Sequence, residues 1–194
     1  MGHPKALTYD RDIICSRKAI AAIGVAFFAI ATALGAYVRV PVPGSPVPIT
    51  LQTFFVLLAG AVLGRRLGAA SQICYILIGA AGLPIFQSAG FGISYLLGPT
   101  AGYLAGFIAA AYAAGLIAGS GKCGMVRSSI AFFTGSAIIY FFGAAWLVLA
   151  YKTAPVNAVS IGVLPFIPGD ITKALLAAVI YSRISHRTGA IFSE

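Results

Sequence analysis

The sequence predicts an all-α integral membrane protein with six transmembrane helices and both termini in the cytoplasm. Three observations predict it. Only 9% of the 194 residues are charged while 60% are hydrophobic, against about 25% charged in a soluble domain. Charges this sparse cannot clothe a water-facing surface, and the mean hydropathy is +0.97. The apolar residues are gathered into runs of helical length, separated by proline, glycine or basic residues. The bases alternate between the gaps in the manner of a multi-pass chain. The length suits one compact bundle.

Residues 1–17 are polar and mixed in charge and read as a cytoplasmic tail. The first span is expected over 19–38, because about 20 residues at 1.5 Å each cross one hydrocarbon thickness of about 30 Å. It stops at Arg39 and PVPGSPVP, Pro41 to Pro48, where closely spaced prolines cannot continue a helix. The second span, 49–63, is short and ends at Arg65 and Arg66; the third, 67–81, is short too. A glycine- and proline-broken apolar segment follows, Gly82 to Pro99. Irregular backbone at membrane depth is tolerated only against protein or a water-lined cavity, so this segment is expected to wall a binding site. The remaining spans are expected over 100–118, 130–151 and 169–184. The membrane domain thus covers 18–185, and 186–194 form a second cytoplasmic tail.

Orientation follows from the bases. Lys5, Arg11, Arg17, Lys18, Arg65, Arg66, Lys122, Arg127, Arg183 and Arg187 fall on one side, and only Arg39 and Lys152 on the other. The positive-inside bias puts both termini in the cytoplasm of a cell inner (plasma) membrane protein. The net charge of +9 is therefore read as loop placement, not as a nucleic-acid footprint. Cys15, Cys74 and Cys123 lie far apart and His3 and His186 near the ends, so neither a metal site nor a disulfide framework is expected. GSGKC, Gly119 to Cys123, is no phosphate loop: Leu116 stands where the first glycine belongs, and Cys123 replaces the Mg²⁺-binding hydroxyl. No catalytic motif is present, and neither a cofactor nor bound ATP is expected.

The sharpest functional feature is FIPGDITKA, Phe166 to Ala174. Asp170 is the only acid between Asp12 and Glu194, and Lys173 the only base inside an apolar run. Three residues apart on a helix, they share a face. Ionisable residues at membrane depth are costly and face a cavity or a partner. A helix cap at Asp170, paired with Lys173, is the purely structural alternative. The sixth helix would start on the outer side, where its dipole and Lys173 attract an anionic group and Asp170 accepts N–H donors. In LGPTAGYLAG, Thr100 and Tyr103 share a face beside the irregular segment, while Gly98, Gly102 and Gly106 read as packing. Gln52, Gln87 and Ser94 are polar groups in apolar surroundings and rank below the charged pair. A stripe of small residues, Ala19, Ala22, Ala26, Ala29, Ala33 and Ala36, lies along one face of the first span. It reads either as an internal seam or as a docking face for a partner subunit.

PVPITLQTFFVLLAGAVLG, GAAGLPIFQ, LLGPTAGYLAGF and FIPGDITKA, in this order, resemble the BioY family, the biotin-specific S components of energy-coupling factor (ECF) transporters. The resemblance runs from the first span to the sixth. It implies a compact six-helix S-component bundle and a biotin site near the outer face. It also implies an energy-coupling module made of a transmembrane coupling protein and two cytoplasmic ATPase subunits. The family's binding residues fall on Asp170 and Lys173, with Gln87, Thr100 and Tyr103 as weaker transfers. On this reading Lys173 meets the biotin carboxylate, Asp170 accepts from the ureido N–H groups, and Phe86, Phe91 and Tyr95 cover the apolar ring. Ala22, Ala26, Ala29 and Ala33 would then dock the coupling protein. The alternatives are an S component for a different vitamin, a stand-alone secondary transporter, and a purely structural subunit that binds no small molecule.

Overall fold

The computed structural model describes residues 5–119 and 121–192. It is all-helical apart from one two-residue hairpin. Helix α1 runs Lys5–Tyr37, α2 Gln52–Leu63, α3 Arg65–Ala80, α4 Gly92–Leu96, α5 Ala101–Ala118, α6 Met125–Tyr151, α7 Pro155–Gly162 and α8 Ile167–Phe192. Strands β1, Arg39–Val40, and β2, Ile49–Thr50, pair antiparallel between α1 and α2.

Among the described residues, four stretches are long and apolar enough to cross a membrane: Arg17–Tyr37, Ala101–Ala118, Met125–Tyr151 and Pro155–Thr188. The short second and third runs are short helices as well. The 12 residues of α2 and 16 of α3 rise about 18 and 24 Å, less than one hydrocarbon thickness. Several boundaries differ from expectation: α6 begins at Met125, five residues before the expected 130, and α7, Pro155–Gly162, lies where no helix was expected. The chain is helical from Lys5, so α1 takes in most of the segment read as a tail, whose residues 1–4 lie outside the described residues. Helix α8 likewise continues to Phe192, through most of the second expected tail.

The bundle is built around α5, which packs on α2, α3 and α6, while α1 lies on α2 and α3, and α8 on α2 and α6. Small residues set these distances. A Cβ on Gly60 would overlap the Ala111 carbonyl, and one on Gly115 would come within 2.5 Å of the Gly60 carbonyl and the Arg65 amide. Backbones therefore touch where α2, α3 and α5 meet. The glycines read as packing in LGPTAGYLAG do pack: a Cβ on Gly102 would overlap Trp146, and one on Gly106 would lie 3.0 Å from Ile139 Cα of α6.

Helix directions sort the two ends. At one end Gly24 lies against Leu63 and Phe192, Cys123 N–H donates to Ser185 Oγ at 3.1 Å, and Arg127 Nε donates to the Ile117 carbonyl at 2.6 Å. At the other end the hairpin, the segment 82–99 and α7 converge. There Trp146 Nε1 donates to the Gly98 carbonyl at 2.9 Å, the Tyr151 hydroxyl to the Leu97 carbonyl at 3.2 Å, and the Tyr37 hydroxyl to the Pro84 carbonyl. These bonds strap the irregular segment to α1 and α6.

Candidate ligand-binding site

The strapped end holds a narrow cavity of about 50 Å³, below the usual range of open small-molecule pockets, about 300–1,000 Å³. The hairpin contributes Val47, Pro48, Ile49 and Thr50; α2 Gln52 and Thr53; α3 Tyr75; the irregular segment Gln87 and Tyr95. Thr100 at the start of α5, then Tyr103, Leu104 and Phe107, form one wall, Ile139 and Tyr140 of α6 another, and Phe166, Asp170 and Lys173 the floor. All six residues singled out from the sequence as ligand contacts, Asp170, Lys173, Gln87, Tyr103, Thr100 and Gln52, line it. They come from four separate parts of the chain.

Asp170 sits in the first turn of α8, where the positive end of the helix favours a carboxylate. It is 6% exposed and forms an ion pair with Lys173 through Oδ1. Thr53 Oγ1 donates to the same oxygen at 3.2 Å, and the Tyr140 hydroxyl donates to Oδ2 at 2.6 Å. Lys173 Nζ also donates to the Thr50 carbonyl at 2.7 Å and to Thr53 Oγ1 at 3.1 Å. An ammonium has three N–H groups, so Thr50, Thr53 and Asp170 engage all of them. The pairing of Asp170 with Lys173 is therefore present in the fold, as the structural alternative expected. The carboxylate Oδ2 accepts from Tyr140, and a carboxylate oxygen can accept more than one hydrogen bond.

The uncharged groups are held with similar care. Gln52 Nε2 donates to the Tyr75 hydroxyl at 2.7 Å, and Thr50 Oγ1 donates to Gln52 Oε1 at 3.2 Å. The Tyr103 hydroxyl donates to the Gly162 carbonyl at 2.7 Å, so its partner is α7 and its ring is what faces the cavity. Gln87 Oε1 accepts from Ser88 Oγ at 2.8 Å. Thr100 is 8% exposed, and the Tyr95 hydroxyl faces Gln87 and Thr100. Gln87, Tyr95 and Thr100 also line a shallower depression together with Pro46, Phe91, Ser94 and Pro99, which opens beside the cavity.

Of the three aromatics expected over an apolar ring, Tyr95 alone lines the cavity. Phe86 is fully buried, stacked on Tyr95 with centroids 4.8 Å apart and edge-on to Tyr75 at 5.4 Å. It anchors the segment and is not a contact surface for a ligand. Phe91 is 57% exposed and belongs to the outer depression. Ser94 is there too. Sequence reasoning missed Thr53, Tyr75, Tyr140, Phe107 and Phe166. Thr53 stood beside Gln52 in PVPITLQT and was within reach of the same argument. Tyr140 carried no signal, because nothing in an aromatic-rich run tells a tyrosine that meets Asp170 from one that meets lipid.

The alanine stripe divides. Ala19, Ala22 and Ala26 are exposed, Ala33 is half-buried, and Ala29 and Ala36 are 3% and 0% exposed. Ala29 therefore packs mainly in the internal seam of α1 with the bundle, at the base of a groove it shares with Ala26 and Ala33. Within the stripe, Ala19, Ala22 and Ala26 face outward.

Residues 10–190 match the family model described as the BioY family. The chain is 43% identical over 167 residues to the protein named "Probable biotin transporter BioY" of Pyrococcus horikoshii, covering 84% of this chain and 95% of that one. It is 37% identical over 168 residues to the "Biotin transporter BioY" of Thermotoga maritima, covering 84% and 94%. The crystal structure of the S-component for biotin from an ECF-type ABC transporter superposes with a TM-score of 0.77 at 25% identity, covering 87% of this chain and 92% of that one.

Proposed function

We propose that this chain, a member of the BioY family, is the substrate-binding S component of an ECF-type transporter and captures biotin in the cavity floored by Asp170 and Lys173. It is a transport protein of the membrane and not an enzyme. The observation that carries the reading is the cavity itself, where the buried Asp170–Lys173 pair, Gln52, Gln87 and Thr100 meet aromatic and aliphatic walls. Biotin offers the complement, ureido N–H donors on a compact bicyclic ring with an apolar thioether edge. Asp170 Oδ2 accepts one N–H, the Tyr75–Gln52 pair and Thr100 surround the polar edge, and Tyr95, Phe107 and Phe166 cover the apolar one. Homologues named for biotin disfavour the readings of a different vitamin or a stand-alone carrier.

The finer features belong to the same proposal. Six helices cross or partly cross the bilayer of the cell inner membrane, with both termini cytoplasmic. The ten-to-two partition of bases supports this orientation, and it places the cavity at the outer face. Biotin enters from outside, and the hairpin and segment 82–99 close over it. A transmembrane coupling protein with two cytoplasmic ATPases then turns the loaded subunit inward; this chain binds no ATP or other cofactor itself. The coupling protein meets the exposed half of the α1 stripe, Ala22 and Ala26, with Ala33 at its edge.

The test is a biotin titration on the purified chain, with Asp170→Asn and Lys173→Ala alongside. The wild type is expected to bind and both variants to weaken. A wild type without affinity refutes the function, and undiminished affinity in both variants refutes the site.

A further inference from the structure

Two cations stand near the cavity. Lys173 spends its three N–H groups on Thr50, Thr53 and Asp170. Against Asp170 it is a neutral pair, and a carboxylate could reach it only by breaking a bond already made in a buried place. Arg39 differs on each count. It is exposed, and of its five N–H donors one goes to Ser88 Oγ.

Three further observations place Arg39 at the mouth. In the hairpin register it stands opposite Thr50, and directly opposed residues of an antiparallel pair put their side chains on one face. Thr50 lines the cavity and its hydroxyl donates to Gln52 Oε1, another lining residue, so Arg39 stands on that side of the hairpin, at the cavity's edge and outside its lining. Its guanidinium then reaches Ser88 of segment 82–99, joining the two loops that flank the opening. Ser88 Oγ passes the contact on to Gln87 Oε1 at 2.8 Å, and Gln87 lines both the cavity and the outer depression. Ser88 and Ala89 hold φ of 60° and 56°, a left-handed conformation that costs non-glycine residues about 1–2 kcal/mol each. That backbone is what aims the Ser88 hydroxyl at both partners.

We propose that Arg39, bridging the hairpin and Ser88 at the mouth, holds the carboxylate of the ligand, while Lys173 serves as the buried counter-ion of Asp170. The proposal rests on the biotin reading and gives the bound molecule a direction. Its ureido ring lies inward at Asp170 Oδ2, and its flexible acid tail points outward through the opening beside Gln87. A guanidinium suits this task, since its planar fork can take a carboxylate on two N–H groups while a third stays on Ser88.

The test compares two ligands on one sample: biotin and its primary amide, identical but uncharged at the tail. The wild type is expected to prefer biotin by about tenfold, the scale of one charge-assisted hydrogen bond. Arg39→Gln, at an exposed position, is expected to lose about that factor for biotin and nothing for the amide, bringing the ratio near one; Arg39→Lys should restore part of it. Lys173→Gln is expected to weaken both ligands alike and keep the ratio, which does not depend on how much of the sample is folded. An unchanged ratio in Arg39→Gln overturns the proposal, as does a wild type without preference or a Lys173→Gln variant that alone abolishes it. A wild type that binds neither compound refutes the biotin reading and this inference with it. Binding of both with a ratio indifferent to Arg39 refutes only the placement of the acid tail.

Discussion

Asp170 and Lys173 can be asked separately for their structural and their binding roles. Asp170→Asn leaves the Lys173 ammonium, whose side chain is 13% exposed, with only neutral acceptors, the Thr50 carbonyl, the Thr53 hydroxyl and the new amide oxygen. Removing one member of a buried pair costs about 3–5 kcal/mol, because an uncompensated charge stays behind. Lys173→Gln should cost a similar amount by stranding the carboxylate, cushioned by the donors from Tyr140 and Thr53. The double variant Asp170→Asn/Lys173→Gln removes both charges. It should recover most of the loss, since replacing a buried pair by neutral groups is often close to neutral. Thermal unfolding in detergent reads the stability, with a drop on the order of 10 °C for the Asp170→Asn variant and a return toward wild type in the double. Biotin titration on the same samples reads the site, where the double variant should remain deficient. A double variant that is stable and binds biotin like the wild type would show the pair to be scaffolding only, and would refute the reasoning from the cavity.

Gly143→Ala should push the Tyr103 ring, which a Cβ there would overlap, into the cavity; biotin affinity should fall by more than stability, measured by titration beside thermal unfolding. Ala26→Trp, on the exposed half of α1, should spare biotin binding and impair uptake in cells that express the full transporter. Ala29→Trp, at 3% exposure, should instead overpack the α1 seam and destabilise the fold by about 1–3 kcal/mol, visible as a lower Tm. Single cysteines at Lys152 and Lys122 in a cysteine-free background test orientation: an impermeant thiol reagent on whole cells should label the first and not the second, and the reverse pattern would invert the topology.

The membrane class followed from composition, since 9% charge leaves no other solvent for the surface. The helices followed from runs bounded by proline, glycine and arginine, and the shortness of α2 and α3 was legible from Arg65 and Arg66, which close the one and open the other. Asp170 and Lys173 stood out because a charge inside an apolar run has no local reason to be there. Thr100, Tyr103, Gln52 and Gln87 were legible more weakly, as polar groups beside broken backbone. What the residues around them do was not legible, because it depends on partners 117 to 123 positions away, as with Thr53, Thr50 and Lys173. Local pattern carries no information on such closures. Only the tertiary structure shows that Lys173 is already saturated, that Phe86 is an anchor where Tyr95 is a wall, and that the alanine stripe turns inward at Ala29. A stripe repeats along a helix whatever lies opposite it, and the neighbours in space decide which half of it is covered. By itself the sequence determined the solvent, the runs and the one misplaced pair of charges. Burial and partner geometry, which need the folded chain, decided the rest.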